Sequence, residues 1–261
     1  MKSVILAAGM GTRMRPLTYD MPKSLVPMHG KPVLEYALDS LERVGVDECI
    51  IVVGYRASQI ESKFGQMFRE MRITYVDNAI FEKTNNIYSF WLAGPNMDDD
   101  ILFLEGDLLF DHDIICDVLN DPNPNVAVVD AYQEYMDGTV IIANGDMAQS
   151  MVLKSQQPDG FNYEKALKTV NIYKFSQTML KEHFLPEIGA WVSKGLTDQY
   201  YEAVLVDLIK QRKVRMAVSR TGVRRWAEVD TVEDLKAAER LFPRPPSQRL
   251  HVPISKKAEV G

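Results

Sequence analysis

Apolar positions along the chain fall into two rhythms, one continuous and one with helical spacing. Ser3 to Ala8 is a continuous apolar run that ends in a glycine-rich stretch, the pattern of a strand covered on both faces and feeding a loop. Within Pro32 to Val44, the residues Val33, Leu34, Ala37, Leu38 and Leu41 recur at helical spacing, and Glu48 to Gly54 is a second apolar run. Strand, loop, helix, strand opens a βαβ unit. Ile73 to Val76 then reads as a short strand, Asn86 to Ala93 as a helix, and Asp100 to Leu104 as a strand ending in Glu105-Gly106-Asp107. This alternation predicts an α/β fold with a mostly parallel, doubly wound sheet flanked by helices.

The character changes after Asp121-Pro122-Asn123-Pro124-Asn125. Val126 to Ala131, Gly138 to Ala143 and Met151 to Lys154 are short runs separated by turn residues, which predicts a smaller antiparallel portion. Val170 to Phe175 reads as a further strand and Tyr200 to Lys210 as an amphipathic helix, while Val214 to Val218 and Arg225 to Val229 are expected to close the sheet. A last helix spans Val232 to Leu241, with Thr231 at its N-cap and Asp234 three residues on, the spacing of a capping box. The expected domain is therefore 1–241. Residues 242–261 begin Phe242-Pro243-Arg244-Pro245-Pro246, a composition that suits a semi-rigid linker or tail leading to a further domain.

Composition narrows the classes of function. A chain of 261 residues with 46% hydrophobic content can bury a full core, and its net charge of −6 comes without a dense basic stripe. Nucleic acid and anionic membranes are thus not expected partners. Cys49 and Cys116 lie in or beside apolar runs without metal-ligand spacing and read as small buried hydrophobes, which suits a reducing cytoplasm. No stretch reaches the roughly 20 apolar residues of a membrane span.

The strongest chemical signal is Leu6-Ala7-Ala8-Gly9-Met10-Gly11-Thr12-Arg13-Met14-Arg15-Pro16-Leu17-Thr18, followed by Pro22-Lys23-Ser24-Leu25-Val26-Pro27 and Gly30-Lys31-Pro32. Glycines directly after a buried strand bring backbone N–H groups against phosphate oxygens with no Cβ in the way, and Arg13 and Lys23 add positive charge. The spacing fits neither the P-loop nor the dinucleotide fingerprint. The combined motif resembles the signature of the sugar-phosphate and choline-phosphate nucleotidyltransferase family. That resemblance implies a Rossmann-like mixed sheet whose antiparallel portion binds the acceptor. It also implies that Leu6, Ala7, Ala8 and Gly9 hold base and ribose, and that Gly11, Thr12, Arg13 and Lys23 hold the triphosphate. Lys23, with Arg13, is then the catalytic cation at the α-phosphorus, the role that nucleotidyl transfer asks of a fixed positive charge.

Glu105-Gly106-Asp107 ends a strand, where open α/β sheets place their ligands, and Trp226-Ala227-Glu228-Val229-Asp230 puts Trp226, Glu228 and Asp230 on one face of an extended segment. Like charges on one buried face repel unless a cation lies between them. Asp107, Glu228 and Asp230 are the expected Mg²⁺ ligands, as the family resemblance also implies, with Glu105 beside the nucleotide.

The chain departs from the sugar-nucleotide branch. Glu164-Lys165 is followed by Ala166 rather than proline. Glu82-Lys83-Thr84-Asn85-Asn86-Ile87-Tyr88-Ser89 is similar to the Asn-Asn-Ile-Tyr-Ser segment of the bacterial phosphocholine cytidylyltransferases and their aminoethylphosphonate-specific relatives. CTP is the nucleotide so implied, with Thr84, Asn85 and Asn86 beside the base; Thr84 or Asn85 also suits a helix cap. Acceptor-pocket candidates are Tyr132, Lys154, Lys168, Tyr173 and Trp226, with Tyr200, Tyr201, Trp191, Asp130, Glu134 and Asp198 as weaker ones, because an aminoalkyl acceptor wants aromatic faces or carboxylates around its cation. The order of acceptors is 2-aminoethylphosphonate, then phosphocholine, then phosphoethanolamine. Two rivals stay open, a sugar-1-phosphate nucleotidyltransferase using UTP or dTTP and a non-catalytic regulatory protein on the same fold. A homo-oligomer and a fused second enzyme domain are left open too.

Overall fold

The first apolar run forms a strand near the middle of a ten-stranded sheet, paired on both sides by parallel neighbours. The computed structural model describes residues 1–244. In chain order the strands are Lys2–Leu6 (β1), Pro27–Met28 (β2), Lys31–Pro32 (β3), Glu48–Val53 (β4), Met67–Phe68 (β5), Met71–Asp77 (β6), Ile101–Glu105 (β7), Leu108–Phe110 (β8), Val126–Ala131 (β9), Val140–Asn144 (β10), Met147–Val152 (β11), Ala166–Phe175 (β12), Ala217–Arg220 (β13) and Trp226–Glu228 (β14). The helices are Val33–Arg43 (α1), Ala57–Phe64 (α2), Asn86–Ala93 (α3), Asp113–Asn120 (α4), Gln177–Met179 (α5), Leu185–Ser193 (α6), Tyr201–Lys210 (α7) and Val232–Leu241 (α8).

The main sheet runs β10-β11-β13-β9-β12-β7-β1-β4-β6-β5. Pairing is parallel among β7, β1, β4 and β6 and again between β13 and β9, whereas β12 joins the two halves by antiparallel pairing with both β7 and β9. The antiparallel portion is therefore a continuation of the same sheet. Alternate side chains of the central strands feed two cores. Val4, Leu6, Ile50 and Val52 pack in one with residues of α3, α6 and α7, and Ile5, Ala7, Ile51 and Val53 pack in the other with residues of α1, α2 and α4. Burial on both faces is why these strands read as unbroken apolar runs.

Several expectations shift. Arg225 to Val229 does not close the main sheet: β14 pairs only with β8, in a separate antiparallel ribbon. The ribbon begins where the chain leaves β7 through Gly106. β12 starts at Ala166 rather than Val170, β11 begins at Met147, and Lys154 already belongs to a 3-10 turn. Helices α2, α4 and the helical run of α5 and α6 were not expected; they are short, and α2 buries only Ile60 and Phe64. α8 matches its expected bounds, with Thr231 and Asp234 forming the reciprocal capping box. The expected Pro-rich linker lies, from residue 245 on, outside the described residues. No described helix is long and apolar enough to cross a membrane.

Candidate active site

The glycine-rich loop leaves the C-terminal end of β1 between two other glycines. A Cβ on Gly54, after β4, would lie 2.9 Å from the Ala8 carbonyl oxygen, and one on Gly106, after β7, would lie 2.8 Å from that of Leu6. Both neighbouring strands thus end without side chains, and the loop is tied down by Ala7 N–H to Val52 O (2.8 Å), Gly106 N–H to Leu6 O (2.9 Å) and Tyr55 N–H to Ala8 O (3.1 Å). Gly11 takes the left-handed conformation at φ +58°, and its missing Cβ leaves room for Lys23, whose own Cβ would stand 2.7 Å away.

This loop lines a cleft of about 530 Å³. All the expected nucleotide residues line it: Leu6, Ala7, Ala8, Gly9, Gly11, Thr12, Arg13, Lys23, Thr84, Asn85, Asn86 and Glu105. The polar groups at its far end are partly committed. Asn85 caps α3 by accepting the Asn86 N–H at 2.8 Å, and Thr84 Oγ1 accepts from Asn78 Nδ2 at 3.1 Å. Asn86 spends both ends within the protein, donating to Glu105 Oε1 at 3.3 Å and accepting the Tyr201 N–H at 2.9 Å.

Lys23 is the electrostatic centre. Its Nζ donates to Asp107 Oδ2 at 2.6 Å and also to Asp230 Oδ1, and Arg13 reaches the same Asp230 oxygen at 2.9 Å. Burial opposes the charged form of Lys23, but the two carboxylates outweigh it and hold its pKa above the ordinary lysine value. Glu105, Asp107 and Glu228 each offer an oxygen within 4.8 Å of the others. Asp230, expected as a metal ligand, lies outside this trio and is engaged by the two cations. Glu105, expected beside the nucleotide, takes its place, with Asn171 Nδ2 donating to Oε2 at 3.4 Å.

Burial and then the neighbouring carboxylates raise the pKa of Glu105; burial, then Asp107, pushes that of Glu228 up to about 7 against the pull of Lys168. Asp107 Oδ1 is buried without a partner. Three convergent carboxylates with an orphaned oxygen fit a hard divalent cation of the Mg²⁺ type.

A second, wider cleft of about 1260 Å³ shares Gly9, Arg13, Lys23, Asn85, Asn86, Glu105, Asp107 and Asp230 with the first. Lys154, Lys168, Trp226 and Glu228 line it, as expected of acceptor residues and a metal ligand. Lys168 is buried, donates to Thr169 O at 2.7 Å, stands 3.9 Å from Glu228 Oε2 and lies 5.9 Å from the Trp226 ring centroid. Trp226 Nε1 donates to Asp130 Oδ2 at 2.7 Å, and Lys154 is exposed and paired with Asp137 at 3.0 Å.

Two expected acceptor residues are not there. Tyr173 is wholly buried in the core, because its place on β12 points it toward Phe103 and Tyr201. Tyr132 stacks on Tyr163 with centroids 3.9 Å apart and donates its hydroxyl to Met136 O, away from the cleft lining. Tyr201 and Trp191 likewise pack against the core. Asn171 and Glu202 line the wide cleft and are not among the residues the sequence pointed to individually. Glu202 was findable, since it shares a helical stripe with Leu205, Val206 and Ile209, all buried. Asn171 was not, because its φ of +60° inside β12 is a tertiary feature.

Comparison with known proteins places the chain in a family. The model of the MobA-like NTP transferase domain matches residues 3–168. The chain belongs to that family. Across 249 residues this family member is 30% identical to CMP-5'-(3-aminopropyl)phosphonate synthase of Streptomyces rubellomurinus, covering 95% of the chain and 40% of that protein, so it spans less than half of that relative's length. It is 26% identical to choline-phosphate cytidylyltransferase of Streptococcus pneumoniae over 243 residues, covering 93% of the chain and 98% of that protein. The inositol-1-phosphate CTP transferase from T. maritima shares the fold, with a TM-score of 0.73 at 22% identity over 92% of this chain and 94% of that one. The MobA-like domain thus has relatives named for CMP transfer to phosphonate and choline-phosphate groups.

Proposed function

We propose that the protein is a Mg²⁺-dependent cytidylyltransferase that moves CMP from CTP to a small aminoalkyl phosphonate or phosphate, releasing pyrophosphate. The observation that carries this reading is the overlap of the two clefts at Lys23, Asp107 and Asp230. A nucleotide in the narrow cleft and an acceptor in the wide one meet there. In the reaction an acceptor oxyanion attacks the α-phosphorus in line, a new P–O bond forms, and the α-phosphorus to bridging-oxygen bond breaks with its electron pair leaving on pyrophosphate. The acceptor is already an anion near neutral pH, so no protein base is needed.

Lys23 faces the α-phosphate and matches the charge that develops on its non-bridging oxygens. Arg13 adds charge on the exposed side, toward the leaving pyrophosphate. Both cations are held by Asp230 before substrate arrives, which fixes their direction without reorganisation. The Gly9 to Thr12 backbone carries the β- and γ-phosphates, and Asn85 Nδ2 and Thr84 face the base. Glu105, Asp107 and Glu228 would hold a Mg²⁺, which when bound supplies charge neutralisation on the phosphate oxygens. Support for the nucleotide and acceptor classes comes from the names of the relatives that align along nearly the whole chain. Among acceptors, 2-aminoethylphosphonate comes first, then phosphocholine and phosphoethanolamine.

The test is pyrophosphate release with Mg²⁺ and each of CTP, ATP, GTP, UTP and dTTP against 2-aminoethylphosphonate, phosphocholine, phosphoethanolamine and glucose 1-phosphate. Turnover confined to CTP with an aminoalkyl acceptor, abolished by EDTA and lowered about a thousandfold in Lys23→Ala, is the expected result. Turnover with glucose 1-phosphate and UTP or dTTP would replace the reading by sugar-phosphate transfer, and no turnover at all by a regulatory role.

A further inference from the structure

Glu202 sits in the first turn of α7, is 6% exposed, and lines the wide cleft but not the narrow one. Thr139 Oγ1 donates to it at 3.2 Å, and hydrogen bonding from its own backbone N–H and from the Asn86 amide also favours its charged form. None of the ion pairs within 4.0 Å among the described residues includes it; the nearest cleft lysine, Lys168, pairs with Glu228 at 3.9 Å and donates to Thr169 O. A carboxylate enclosed in this way costs several kcal/mol unless a cation or hydrogen-bond donors meet it. The N-terminus of α7 supplies part of the compensation.

The wide cleft offers few enclosed aromatic faces. Tyr132 and Tyr173 are engaged elsewhere, the Trp226 ring already faces Lys168, and Tyr135 and Tyr200 line the cleft but stand 83% and 55% exposed to water. A quaternary ammonium head is held best by several aromatic faces around it, whereas a primary ammonium donates up to three hydrogen bonds and asks for acceptors. Glu202 and the lone pairs of the Thr139 hydroxyl are such acceptors. Lys23 stands at the junction of the two clefts, so a zwitterion with its phosphonate there has its amine free to extend into the wide cleft.

We propose that Glu202, with Thr139, seats the primary ammonium of the acceptor and so determines that the enzyme takes an ω-aminoalkyl phosphonate or phosphate in preference to choline-type or uncharged analogues. The assignment rests on the cytidylyltransferase reading and names the residue that sets its specificity. Burial raises the Glu202 pKa, with Lys168 among the opposing influences, and a bound ammonium favours its ionised form.

The experiment compares kcat and KM, with saturating CTP and Mg²⁺, for 2-aminoethylphosphonate, ethylphosphonate and phosphocholine in the wild-type protein, Glu202→Gln and Glu202→Asp. Wild type is expected to favour 2-aminoethylphosphonate over ethylphosphonate by about a hundredfold in kcat/KM. Glu202→Gln keeps an acceptor oxygen for Thr139 and is expected to collapse that ratio to within about threefold, through KM rather than kcat. Glu202→Asp should restore part of it. If Glu202→Gln melts early, the Asp variant and the wild-type ratio carry the test.

A wild-type enzyme that uses ethylphosphonate or phosphocholine equally well overturns the proposal and leaves CMP transfer intact, as does a Gln variant that keeps the full ratio. Absence of CTP-dependent turnover with every acceptor overturns both readings.

Discussion

Asn86 Nδ2 lies 3.3 Å from Glu105 Oε1, and the other end of the same amide accepts the Tyr201 N–H at 2.9 Å. One side chain thereby joins the start of α3, the end of β7 and the start of α7, of which all three border the wide cleft and the first two the narrow one. Asn86→Ala strands a backbone N–H and a carboxylate oxygen together. It is expected to cost about 1–3 kcal/mol in urea denaturation and to lower kcat, since Glu105 loses one of the two amides that orient it. Asn86→Asp should be no better, because it sets a second charge against Glu105.

Gly11 makes the placement of Lys23 sensitive to one methyl group. Gly11→Ala puts a Cβ 2.7 Å from Lys23 Cβ at a φ of +58°. The backbone conformation alone costs about 1–2 kcal/mol in a residue with a side chain. The expected outcome is a lower Tm together with at least a tenfold loss of kcat/KM, whereas Gly30→Ala, whose Cβ would meet nothing within 4 Å, should lose stability without a comparable loss of turnover.

Asp111 and Arg225 close one end of the β8–β14 ribbon, beside its Phe110–Trp226 pair. Arg225 donates to Asp111 through its backbone N–H (2.8 Å), Nε (3.1 Å) and NH2 (2.7 Å). Hydrogen bonding from Arg225 holds the Asp111 carboxyl below its ordinary pKa, against the effect of burial. The unfolded chain therefore takes up this proton at a higher pH than the folded one. The stabilisation is present at neutral pH and is lost as the pH falls from the usual carboxylate range through the depressed value. Because Arg225 is half-exposed, Asp111→Asn is expected to cost only about 1 kcal/mol at pH 7. Denaturation midpoints of variant and wild type should converge as the pH falls below the usual carboxylate range.

The two cysteines should separate kinetically. Cys49 is fully buried and its thiol is pushed up to about 12 by burial, whereas Cys116 is partly exposed with Sγ 3.5 Å from His112 Nε2. Native protein is expected to release one equivalent of thionitrobenzoate from Ellman's reagent quickly and the second only in denaturant. Cys116→Ala should abolish the fast phase.

The local code of the chain was enough for the elements that signal themselves. Ser3 to Ala8 and Glu48 to Gly54 have to be strands covered on both faces, the spacing within Pro32 to Val44 has to be helix, and Thr231 with Asp234 announces the start of α8, because each pattern depends only on neighbours in sequence. The glycine loop, Arg13 and Lys23 were legible for the same reason, lying within one short motif. The tertiary structure alone decided which carboxylates converge. Asp230 went to Lys23 and Arg13, and Glu105 joined Asp107 and Glu228, since β8 leaves the main sheet through Gly106 to pair with β14. It also turned Tyr132 and Tyr173 away from the wide cleft and turned Glu202 and Asn171 into it. Those outcomes depend on pairings between residues up to 207 positions apart, whose register no local periodicity encodes.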